Sequence, residues 1–126
     1  MRFHRLLKRV IRMKNLTSYG ILLGNIVLLV LGQTLFKLGL QKAGGLIWTK
    51  LATSFYIYGG LALYGTATVL WFVVLSRLPL SVAYPLQSIA YVLALLVAGP
   101  VFGETITITR WVGIAIILVG VYIVSR

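Results

Sequence analysis

One carboxylate, Glu104, and one imidazole, His4, are the only acid and the only histidine in 126 residues, and no cysteine is present. A hydrolase or transferase needs a base within reach of a nucleophile, and a metal centre needs several His, Cys, Asp or Glu ligands together. With one acid and one imidazole at opposite ends of the chain, neither enzymatic chemistry nor a metal or other cofactor is expected. What remains is recognition without reaction, by amides, hydroxyls and aromatic rings set inside apolar runs. Asn25, Gly32, Gln33 and Phe36 fall near one helical face, with Lys37 one turn beyond Gln33. Gly32 would let another helix approach closely. Lys37 is either an interfacial anchor or a cation that faces a cavity and attracts a phosphate.

Gly60, Tyr64, Thr68 and Trp71 follow at offsets of four, four and three, again one face. Such a stripe packs helices together, or lines a groove that stacks on and hydrogen-bonds a substrate. Ser81, Tyr84, Ser88 and Tyr91 recur at i, i+3, i+7 and i+10, and Pro85 removes a backbone donor among them. A kinked, hydroxyl-lined helix is expected, able to satisfy neighbouring helices or to solvate a sugar or phosphate without a fixed charge. Glu104 stands in a turn, where Arg110 could neutralise it or where it could meet a ligand at a cavity mouth; Thr109 could cap the helix that follows. Gly113 and Gly120, seven apart, have the spacing of a tight packing seam.

The elements that carry these residues are membrane helices. Hydrophobic residues make up 60% of the chain, far above a soluble domain's share. Uncharged runs over 17–36, 51–76 and 78–103 each reach the ~20 residues that cross ~30 Å of hydrocarbon, and a shorter run, 111–125, can be extended by 105–109 and by snorkelling of Arg110 and Arg126. The expected fold is all-α and integral to the membrane, with a basic amphipathic arm over 1–16 and a four-helix domain over 17–126 whose spans lie at about 17–38, 52–76, 80–101 and 108–125. No acid lies at bilayer depth, where a proton-driven cation exporter would need one. The cargo expected is therefore neutral or anionic.

Half of the twelve Lys and Arg residues lie in the first fourteen positions, and Phe3, Leu6, Leu7, Val10 and Ile11 make an apolar stripe of helical period between them. The arm reads as a basic amphipathic helix on an anionic leaflet, broken from the first span at Asn15, Thr17 and Ser18. An apolar stripe is wasted on nucleic acid. The arm also has a transit peptide's composition, whereas the full-length apolar run after it argues against a cleaved secretory signal. With the arm inside, that side carries eight basic residues against four, Lys37, Lys42, Lys50 and Arg110; without it the bias reverses to two against four. The arm is expected to set the orientation, with both termini cytoplasmic.

The segment Gly32-Gln33-Thr34-Leu35-Phe36-Lys37, the stretch from Trp71 through Pro79 to Ala83-Tyr84-Pro85, Ser88, the Gly103-Glu104 turn, Arg110-Trp111 and the Gly113/Gly120 pair together resemble the short four-helix (EamA and small multidrug resistance-like) members of the drug/metabolite transporter superfamily. The likeness covers roughly residues 17–126. It is closest to the subunits that flip undecaprenyl-phosphate-aminoarabinose. Where the multidrug exporters carry a membrane glutamate and a cage tryptophan, this chain has Leu29 and Gln87, which undercuts recognition of organic cations.

The resemblance implies movement of a polyprenyl-phosphate-linked sugar or related lipid between leaflets of a bacterial inner membrane. It implies a dimer, of this chain or with a sister subunit, that encloses the head group while the lipid tail stays in the bilayer, with Gly113 and Gly120 in the seam. The substrate path expected for it runs over Gln33, Lys37, Tyr64, Trp71, Arg77, Tyr84, Ser88, Tyr91, Glu104 and Arg110. An exporter of small cations or polyamines and a non-transporting membrane adaptor are the competing readings.

Overall fold

A computed structural model describes residues 2–126, with the side chains of residues 9–15 outside that description. Six helices follow one another: α1 (Arg2–Ala43), α2 (Trp48–Leu51), α3 (Phe55–Arg77), α4 (Leu80–Gln87), α5 (Ile89–Phe102) and α6 (Ile108–Ser125). Four segments are long and apolar enough to cross a membrane: Leu16–Ala43, Phe55–Arg77, Leu80–Phe102 and Ile108–Ser125. The chain is an all-α, multi-pass membrane protein, with no strand among the described residues.

The arm is not a separate element. The backbone stays helical through Asn15, Thr17 and Ser18, so α1 is one helix of 42 residues, ~63 Å long. The physical reason is that the first nineteen positions hold neither Gly nor Pro and are rich in Leu, Arg, Lys and Met, all good helix formers. Ser18, expected to help end the arm, is buried within the continuous helix. Phe3, Leu6 and Leu7 are exposed; the other stripe positions Val10 and Ile11, the charges Arg9, Arg12 and Lys14, and the side chain of Asn15 lie outside the described residues.

Turn chemistry ends the helices where the sequence provides it. Gly44 and Gly45 take φ of 82° and 126°, in the region that disfavours side chains, and turn the chain out of α1. Leu78 is extended ahead of Pro79, as the residue before a proline must be, and α3 stops there. The third span breaks into α4 and α5 at Ser88. Pro85 lies inside α4, and its carbonyl accepts both the Ser88 amide at 3.1 Å and the Ser88 hydroxyl, a tightening over three residues in place of four. Gly103, at φ 65°, closes α5 and lets the Glu104 amide reach back to the Ala98 carbonyl at 3.2 Å. Thr107, and not Thr109, caps α6, its hydroxyl accepting from the Arg110 amide at 3.4 Å.

α1 packs along α3, and two glycines meet in the contact. A Cβ on Gly32 would lie 3.2 Å from the Gly60 carbonyl, and one on Gly60 would lie 3.0 Å from the Gly32 carbonyl. The approach expected of Gly32 is therefore made against Gly60. Nearer the arm, Leu22, Ile26, Val74, Leu78, Ala83, Leu86 and Val121 close a core from α1, α3, α4 and α6. α5 joins this core through Ile89, Ala90 and Leu93, and toward its other end a cleft opens between it and α1.

Candidate functional site

The cleft between α1 and α5 encloses about 510 Å³. α1 contributes Leu29, Gln33, Thr34 and Lys37 to it, α5 contributes Tyr91, Ala98 and Phe102, and Glu104 stands at its mouth. Gln33, Lys37 and Thr34 share a wall because they recur three and four apart on one helix. The Thr34 hydroxyl donates to the Val30 carbonyl at 2.7 Å. Lys37 Nζ donates to Glu104 Oε1 in an ion pair across the mouth and stands 4.8 Å from the centroid of the Phe102 ring.

The partner of Glu104 is thus Lys37, 67 positions away, and not Arg110. Gly103 folds the turn back toward α1, whereas Arg110 lies beyond the Thr107 cap in the first turn of α6. The hydrogen bond from Lys37, then its charge, and further off the charge of Arg110 hold the Glu104 carboxyl below its ordinary range. Both side chains are more than a third exposed, so the pair is screened and opens at little cost.

A second, smaller cavity of about 210 Å³ lies nearer the arm, lined by Asn25, Leu29, Tyr64, Thr68, Trp71 and Gln87. On the α3 stripe, Gly60 lies in the helix contact and Tyr64, Thr68 and Trp71 border this cavity. Asn25, only 1% exposed, donates from Nδ2 to the Ala67 carbonyl at 2.6 Å and accepts from Gln87 Nε2 at 3.1 Å. An amide at this depth is tolerated because both of its ends are used. Leu29 borders both cavities, so no carboxylate stands at their junction.

The hydroxyl stripe of the third span is divided by the break at Ser88. Tyr91 lines the larger cleft, Tyr84 packs edge-on against Trp71 with ring centroids 6.3 Å apart, and the Ser88 hydroxyl is occupied by the Pro85 carbonyl. Arg77 and Arg110 are exposed at opposite ends of the bundle and line neither cavity. Gly113 and Gly120 meet nothing within 4 Å, so that side of α6 is open. Asn25 and Gln87 were the polar partners hardest to foresee. Their signal was two carboxamides inside long apolar runs, each needing a partner.

The EamA-like transporter family matches residues 3–126. The chain is 32% identical over 111 residues, covering 86% of it and 97% of the relative, to a protein of Pseudomonas fluorescens named a probable 4-amino-4-deoxy-L-arabinose-phosphoundecaprenol flippase subunit ArnE. It is 35% identical over 100 residues to the like-named protein of Pseudomonas syringae, covering 79% and 93% of the two chains. To a subunit ArnF of the same named flippase in Yersinia enterocolitica it is 31% identical over 119 residues, covering 86% and 93%. No solved structure matches the chain.

Proposed function

We propose that this chain, which belongs to the EamA-like transporter family, is a subunit of a flippase that carries a polyprenyl-phosphate-linked sugar of the aminoarabinose kind between membrane leaflets. The observation that carries the reading is the cleft between α1 and α5. Its only charges are Lys37 and Glu104 at the mouth, and Leu29, Gln33, Thr34 and Tyr91 line the depth where a cation exporter would hold an acid. The names of the relatives supply the class of lipid.

The phosphate of a head group that enters such a cleft meets an ammonium at the end and hydrogen-bonding groups along the wall, while the lipid tail stays in the bilayer. Lys37 suits the phosphate because a compact, flexible point charge can follow it. Gln33 and Tyr91 then replace part of its hydration. Arg77 would supply the cation at the opposite end, and Arg110 a second charge near the mouth.

The working unit is a dimer, of this chain or with a sister subunit, as the word subunit in the relatives' names suggests. Tyr64, Tyr84 and Tyr91 are all more than 40% exposed on the isolated chain, a polar aromatic surface that a second subunit would enclose. The open glycine side of α6 offers the seam. The membrane is the bacterial inner membrane, with the arm and both termini cytoplasmic by the charge bias. The protein works by translocation without covalent chemistry.

The test is movement of a labelled polyprenyl-phosphate sugar across proteoliposomes. Wild-type rates in Lys37→Ala, Arg77→Ala and Tyr84→Phe alike would show the path to be wrong.

A further inference from the structure

The carboxylate at the mouth is awkward for a purely anionic cargo. A phosphate that takes Lys37 as its partner displaces Glu104, and the freed carboxylate then stands beside the incoming negative charge. Like charges brought together in this way reject a ligand. The conflict disappears if the cargo brings a cation of its own. We infer that the Lys37–Glu104 pair is a receptor for a zwitterionic head group, in which Lys37 takes the phosphate and Glu104 takes an ammonium on the sugar. This rests on the transport reading above and makes Glu104 the residue that selects the amine.

Four observations support the assignment. Glu104 is the only acidic side chain in the protein, so no other side-chain carboxylate can pair with a cationic substituent. The pair lies on the lining of a cleft of about 510 Å³, within the size range of small-molecule sites. Both partners are exposed enough to part without stranding a buried charge. Glu104 is also held on the backbone, since Gly103 turns it out of α5 and its amide is tied to the Ala98 carbonyl, while Lys37 sits on a long flexible stem. The fixed anion and the mobile cation can separate by the width of a sugar ring while each keeps a partner of opposite charge. The site exchanges one internal ion pair for two external ones, and net charge at the mouth is conserved.

The closing experiment uses the full chain in proteoliposomes, with a sister subunit where one is required, and three probes: polyprenyl phosphate carrying an amino sugar, the same lipid with its amine acetylated, and bare polyprenyl phosphate. The wild-type protein is expected to prefer the free amine over the acetylated probe by about tenfold or more, the worth of one charge-assisted hydrogen bond. Glu104→Gln should erase that preference by lowering transport of the amine probe, and Lys37→Ala should lower transport of every probe. Glu104→Asp, which keeps the charge, should retain the preference at a reduced rate, and it decides the matter if Glu104→Gln fails to fold. Equal wild-type transport of the amine and acetylated probes overturns amine selection and leaves the flippase reading standing. An undiminished preference in Glu104→Gln, or a lost one in a folded Glu104→Asp, overturns the role of Glu104. Failure to move any probe overturns the flippase reading, and this inference with it.

Discussion

Gln87, the last residue of α4, donates from Nε2 to Oδ1 of Asn25 in α1 at 3.1 Å, and the same Asn25 donates to the Ala67 carbonyl of α3 at 2.6 Å. One buried amide thereby joins three elements beneath the smaller cavity. The link matters because nothing in the surrounding hydrocarbon could replace a lost partner.

Gln87→Leu leaves Oδ1 of Asn25 buried without its donor. The expected loss of stability is about 1 kcal/mol, in line with interhelical hydrogen bonds in membranes. Thermal unfolding in detergent, followed by tryptophan fluorescence, reads it. Gln87→Asn should fall between the two, because it keeps a donor on a shorter arm.

The glycines separate into two kinds. Gly60→Val sets a side chain against Phe36 and the Gly32 carbonyl, where a Cβ would already lie 2.7 Å from the Phe36 ring and 3.0 Å from the oxygen. A loss of about 1–3 kcal/mol is expected from overpacking. Gly120→Val faces open space and should leave the subunit's unfolding unchanged while weakening association. Cross-linking yield beside melting temperature distinguishes them, and an equal drop in stability for both variants contradicts the assignment.

The Glu104 carboxyl is held below its ordinary value of 4.5 by the hydrogen bond and charge of Lys37. Because the native value is the lower one, what the pair adds to stability is complete above 4.5 and is lost as pH falls through the depressed value. The Glu104 carboxyl is therefore ionised across roughly pH 6 to 8, above the carboxylate range. Infrared difference spectra of wild type against Glu104→Gln should show no protonated carboxyl band in that range, and the band should emerge only on strong acidification. Its appearance near neutrality would mean that Glu104 carries a transported proton.

Deletion of the first fourteen residues removes half of the basic side chains and reverses the charge bias of what is left. Mixed or inverted insertion is expected, read by labelling single cysteines placed at the loops of this cysteine-free chain. A truncated protein still inserted uniformly with its amino end inside contradicts the proposed role of the arm.

Much of this architecture could be read before folding. Uncharged length determines the four crossings, since lipid admits little else. Gly32 announced a close contact, and the offsets from Gly60 to Trp71 put Tyr64, Thr68 and Trp71 on one wall. Contacts that depend on how a turn is aimed were not legible. Glu104 has Arg110 six residues away in sequence, yet the left-handed Gly103 directs it to Lys37. Pro85 foretold a distortion, but its site at Ser88 follows from the competition for one carbonyl. Polar residues at Asn15, Thr17 and Ser18 suggested a break that good helix formers on the arm side, with no glycine or proline, do not permit.

The shortened turn at Ser88 lies within one crossing whose nearer part, α4 together with Ile89, Ala90 and Leu93 of α5, packs on the core, while the far end of α5 borders the cleft against α1. A straight rod would oblige both ends to move as one. Here Pro85 and the shortened turn at Ser88 interrupt the amide ladder at one point, so any flexing of this crossing concentrates there.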